Sequence, residues 1–229
     1  MDCRKISGGR LDEFESRRVT GRVYWYLIVT LLLNLVALPG LVALAFLDRS
    51  AANAPLAAVC LLPLGPALSA ALFALRHRPK AEDMTPARSF WRGYRLNAAD
   101  VLRLWTPALI VLAVIAVSLA NLEAAGLPGS YAGVLLVNGA LVLLWTMNAL
   151  VIASLFGFRT RDVARLAAYY LVRLPLVTLK TASLLMLAGG IVLFTFDAVL
   201  AMLGGLWAGL LLRNAGPLVT NVESRFVRT

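Results

Sequence analysis

Asn34, Asn138, Thr146 and Asn148 are polar side chains set inside otherwise apolar runs. The asparagines are expected to bridge neighbouring helices, each for about 0.6–2 kcal/mol, or to line a path for a polar solute. A second group mixes cations with aromatics: Arg88, Phe90, Trp91, Arg92, Tyr94, Arg95 and Arg103. At helical spacing Phe90, Trp91, Tyr94, Ala98, Val101, Leu102 and Trp105 share one face, and the arginines share the adjoining one. That face suits lipid phosphates or a docking partner, with Arg88, Trp91, Arg92 and Arg95 as the contact residues.

The side chains of enzymatic chemistry are missing. His77, the one histidine, lies between Arg76 and Arg78, a poor setting for a poised base. Cys3 and Cys60 are too far apart to join it as zinc ligands. No H-E-x-x-H pair, G-x-S-x-G elbow or P-loop occurs. The chain is therefore expected to be no enzyme and to hold no metal or cofactor, and any ATP would be hydrolysed by another subunit.

The elements that carry these residues follow from composition. Of 229 residues 60% are hydrophobic and 15% charged, against about 45–50% and 25% in a soluble domain. Six apolar segments stand out, near 23–47, 55–75, 104–122, 131–156, 174–193 and 197–212, each close to the ~20 residues that cross a bilayer. Threading them places all of the 22 Lys and Arg residues except Arg49 on one side. Cytoplasmic loops retain such cations. The net charge of +10 thus reads as topology, and no nucleic-acid partner is expected.

The expected fold is an all-α, six-helix transmembrane bundle over 23–213 in a bacterial inner membrane. Residues 1–22 form a cytoplasmic N-terminal segment and 214–229 a cytoplasmic tail. The first apolar run, about 25 residues, exceeds the roughly 7–15 of a signal h-region, so it reads as an uncleaved span. Tyr24, Trp25 and Tyr26 would mark its cytoplasmic edge. Thr85 and Pro86 open a cytoplasmic amphipathic helix near 86–103, lying at the interface between spans two and three. In the next connection Asp162 and Arg173 suit the two ends of a short helix. The turn between spans five and six falls at 194–197 or at Gly189-Gly190.

Pro39 in span one and Pro63, Gly65 and Pro66 in span two should kink or break those helices. The freed carbonyls must then face protein or a wet cavity. Asn34, Pro39, Gly65, Pro66 and Asn148 are the candidate cavity residues. A polar cavity there would favour transport, and a dry core a scaffold. Gly205-x-x-x-Gly209, Ala67-x-x-x-Ala71 and Ala70-x-x-x-Ala74 are small-residue faces for close helix approach.

Residues 21–39, with Asn34-Leu35 and Leu38-Pro39, the stretch 64–73 (LGPALSAALF) and the stretch 89–97 (SFWRGYRLN) together resemble the YesL-like bacterial membrane proteins. That family is built on a domain of unknown function and is often associated with carbohydrate ABC uptake systems. The resemblance implies an accessory or permease-like component of carbohydrate uptake. The partners to expect are membrane lipid, ABC transporter subunits and further copies of the chain. The rival reading is a non-transporting scaffold or regulatory subunit that docks a cytoplasmic partner or anionic lipid.

Overall fold

The computed structural model describes residues 3–48, 50–77, 85–194 and 202–226. Among them every regular element is a helix. In order these are α1 (Cys3–Ala45), a 3-10 turn (Ala51–Asn53), α2 (Ala54–Cys60), α3 (Leu64–His77), α4 (Pro86–Ala120) and α5 (Ser130–Leu155). Then come α6 (Thr160–Arg173), α7 (Pro175–Phe194), α8 (Gly204–Asn214) and α9 (Gly216–Phe226). Thr20–Ala45, Ala54–His77, Pro86–Ala120 and Ser130–Leu155 are long and apolar enough to cross a membrane. The bent pair α6–α7 adds a fifth if it counts as one span. The last expected span, 197–212, is described only from 202 onward, with α8 at 11 residues. Arg49, Arg78, Lys80 and Asp197 lie outside the described residues.

Helix α3 is the centre. Ala67, Ala70, Ala71, Leu72 and Ala74 are fully buried, so the two alanine spacings serve the close approach expected of them. Around it α1, α4, α5 and α8 supply the large side chains, among them Val29, Phe90, Ile152 and Leu211. The glycine spacing in α8 works in the same way. A Cβ on Gly205 would strike the Thr30 hydroxyl, and one on Gly209 would lie 2.7 Å from the Tyr26 ring. Because Gly204 meets Leu33 while Gly209 meets Tyr26, α8 runs antiparallel to α1. Trp25 is buried and Tyr26 half-buried, so only Tyr24 of the aromatic cluster faces outward.

The amphipathic helix expected at 86–103 is not a separate interfacial element. It continues without a break into span three as the single 35-residue α4. Its start is where Thr85 and Pro86 put it, with Thr85 extended and Pro86 first, although the Thr85 side chain makes no capping bond. The physical reason for continuity is α3. Phe90 is completely buried rather than sunk among lipid headgroups. A Cβ on Gly93 would lie 2.7 Å from Phe73, and one on Gly65 2.7 Å from Trp105. These two contacts fix an antiparallel register over the length of α3, so 86–105 covers α3.

The helix that turns aside is α6. Pro175 cannot continue it and drives Leu174 out of helical geometry (φ −120°, ψ 70°), and α7 departs at 99°. The Thr178 hydroxyl donates to the Leu171 carbonyl at 2.8 Å, satisfying an acceptor freed at the bend. Val163, Ala167 and Tyr170 face the bundle, while Arg161, Asp162, Arg165 and Arg173 are exposed. Asp162 in the first turn and Arg173 in the last are placed as the helix dipole favours.

Two more expectations are corrected. Helix α7 runs unbroken through Gly189 and Gly190 to Phe194, which removes the glycine pair as the turn before span six. The segment 216–226 is no free polar tail, because α9 buries Leu218, Val219 and Val222. Glu223 of α9 also pairs with Arg76 of α3 at 2.6 Å.

Candidate functional site

The prolines act differently in the two helices. Pro39 is exposed within an unbroken α1, so it opens no gap. The second segment does break, at 61–63 between α2 and α3. There Pro63 and Pro66 lack the N–H groups that would continue the ladder. The Leu61 carbonyl instead receives the Trp105 indole N–H at 3.0 Å and the Leu64 amide at 3.2 Å. Gly65 lets that indole lie directly against the α3 backbone. The Val59 carbonyl, freed by Pro63, receives the Leu62 amide at 3.1 Å, so protein donors close the Val59 and Leu61 acceptors of the break.

Beneath it lies a central cavity of about 190 Å³, between α1, α3, α4, α5, α7 and α8. Leu33, Leu64, Leu68 and Met147 form its apolar wall, with Asn34 and the rings of Trp105 and Trp207. Among the five candidate cavity residues only Asn34 reaches it. Gly65 and Pro66 are buried in α3, Asn148 is buried in α5, and Pro39 faces away. The cavity's lining is almost wholly apolar, with the Asn34 amide and the Trp207 indole as its polar edges besides Trp105.

The basic face is placed as expected in part. Arg88, Trp91, Arg92 and Arg95 are exposed and line one open cleft with Leu96. Trp91 is held edge-on between Phe90 and Tyr94, at 6.0 and 5.6 Å between ring centres. Phe90 anchors this row in the core, so the cations are carried on a fixed surface and not on a loose loop. Arg103 points elsewhere and pairs with Asp100 at 3.0 Å. His77 stacks on Phe73 at 4.1 Å between centres and has Nδ1 2.9 Å from the Phe73 carbonyl.

Interhelical polar contacts are made by Ser69, Ser154, Asn97 and Trp145. The Ser154 and Ser69 hydroxyls lie 2.9 Å apart, both buried. The Asn97 amide donates to the Ser154 carbonyl at 3.0 Å, joining α4 to the end of α5. The Trp145 indole donates to the Ala164 carbonyl at 3.1 Å and ties α5 to α6. Asn138, expected as a bridge, bonds back to its own helix at Val134 O (2.9 Å), and Thr146 does the same at Val142 O (2.6 Å). Ser69 lies within the small-residue face of α3 and Asn97 within the amphipathic start of α4, both stretches that the sequence singles out. Ser154 has no such signal, because a serine near a helix end is ordinary until its neighbour is known.

Comparison of this chain with family models, with curated proteins and with solved structures finds no match.

Proposed function

We propose that this chain is a multi-pass component of a bacterial inner membrane, accessory to a solute-uptake system and not itself the conduit. The observation that carries this reading is the plugged helix break. The break between α2 and α3, where a broken span could admit a solute, is filled by Trp105, over a small, mostly apolar cavity. The basic face at Arg88, Trp91, Arg92 and Arg95 is then the contact for a cytoplasmic partner subunit, an ABC transporter component in the reading adopted here. The carbohydrate context rests on the resemblance of residues 21–39, 64–73 and 89–97 to the YesL-like proteins.

The reading includes six spans with both termini cytoplasmic. Supporting it are the cation distribution and the antiparallel lie of α8 on α1, which a returning sixth span requires. No catalytic role is included.

Purification from native membranes in mild detergent, followed by proteomics, tests the partner. A stoichiometric ATPase or solute-binding subunit is expected, and Arg88→Glu with Arg92→Glu should release it. In parallel, liposomes bearing the purified chain should take up no sugar beyond protein-free liposomes. Sugar flux by the chain alone overturns the accessory role. Binding that survives both reversals overturns the docking face, and loss of lipid association in place of protein would assign the face to anionic headgroups.

A further inference from the structure

Asn138 faces outward from α5, on the apolar surface of a helix long enough to span a membrane. It lies about 12 Å along the axis from the external end at Ser130, well within a hydrocarbon core of ~30 Å. One of its N–H groups is used internally, donating to the Val134 carbonyl. The amide has a second N–H and an acceptor oxygen, and the described residues offer neither a partner. Ser183, also exposed, differs because its single donor is spent on Leu179 O. In lipid no water completes the Asn138 set.

We propose that α5 is the contact between two copies of this chain, with the Asn138 amides hydrogen-bonded to one another across a two-fold axis. A second copy is the occupant that the chemistry selects. Acyl chains offer no hydrogen bond, whereas a primary amide is donor and acceptor at once and therefore complements itself. Two copies inserted in the same direction, related by an axis along the membrane normal, bring their Asn138 residues to the same depth. The flanking surface fits: Tyr131, Val134 and Leu141 are exposed on the Asn138 face at helical spacing. Leu136 and Ala140, exposed on the opposite side, are not part of it. The proposal requires only that α5 spans the membrane and is independent of any role in uptake.

Cysteine cross-linking in native membranes tests it, on the full chain with Cys3 and Cys60 changed to Ser. Oxidation should join copies carrying Val134→Cys or Leu141→Cys and leave Leu136→Cys and Ala140→Cys unjoined. Asn138→Leu should abolish the cross-links at 134 and 141, and Asn138→Gln should retain them. Native mass spectrometry in mild detergent should show a dimer whose dissociation constant rises by roughly 5- to 30-fold in Asn138→Leu, the range of an intramembrane amide contact. A lipid-facing leucine leaves the monomer fold intact, which the unchanged melting temperature of the monomer fraction verifies. A monomer at all concentrations, equal cross-linking on both faces, a dimer indifferent to Asn138→Leu, or cross-links to a different protein would each overturn the proposal.

Discussion

Over 146–154 every residue of α5 is buried, whereas over 130–145 only Gly139 is. Both stretches are mainly apolar, each with a few polar residues among its aliphatic ones. What separates them is the neighbour. The inner half meets the alanine face of α3, the Ser69 hydroxyl and the Asn97 amide. In the outer half Gly139 touches α4 only loosely, its Cβ position 3.7 Å from Ile115, and Val134, Leu136, Val137 and Leu141 are bare. A membrane helix gains nothing from hydrophobicity alone when it packs, since lipid tails are equally apolar. Close approach to small residues and hydrogen bonds to neighbouring helices decide where it packs, and within the chain the inner half has both, through the alanines of α3, Ser69 and Asn97.

The largest test of this contrast is Trp105→Ala. Losing a packed indole that also closes the Leu61 carbonyl should cost about 3–5 kcal/mol, while Leu136→Ala on the bare half should stay within ~0.5 kcal/mol. Reversible unfolding in micelles measures both, and equal costs would break the contrast. Next in size is a reversal of sign between two glycines. Gly93→Ala drives a methyl into Phe73 and should destabilise by about 1–3 kcal/mol. Gly133→Ala meets open space and should stabilise by up to ~1 kcal/mol through helix propensity; melting temperatures in one detergent compare them directly. The smallest effect belongs to the serine pair. A double-mutant cycle on Ser69→Ala and Ser154→Ala should return a coupling of about 0.6–1.7 kcal/mol, and a coupling of zero would reduce the inner half to plain packing.

Much of the architecture is legible in the sequence. Long apolar runs marked the spanning helices, and the Thr85-Pro86 start, the break near Pro63 and the glycine face of α8 all stand where residue chemistry put them. Whether the chain goes straight or turns aside at a helix end was not legible. Arg88 to Arg103 and Arg161 to Arg173 have similar amphipathic patterns, yet the first lies along α3 and the second bends away at Pro175. The deciding contacts, Phe90 in the core and Gly93 on Phe73, come from residues distant in sequence. The site residues fared similarly. An asparagine in an apolar run announces a polar group in the membrane but not its direction, so Asn34 at the cavity, Asn148 in the core and Asn138 on the surface look alike in the sequence. The 216–226 helix was masked by its polar composition, because three apolar residues at helical spacing suffice to seat it.

Pro107 sits within α4 just beyond Trp105. It removes the hydrogen bond to the Arg103 carbonyl, so bending stiffness is lowest there. On one side the helix is clamped against α3 by Phe90, Gly93 and Trp105; on the other it flanks a lipid-facing gap of about 570 Å³ shared with α2. Beyond Pro107 the helix still buries Ala108, Leu109 and Ala113, so packing continues on one face while the other lines the gap. A proline at this point therefore marks the boundary between the part of α4 that seals α3 and the part that leaves a groove open to the outside of the bundle.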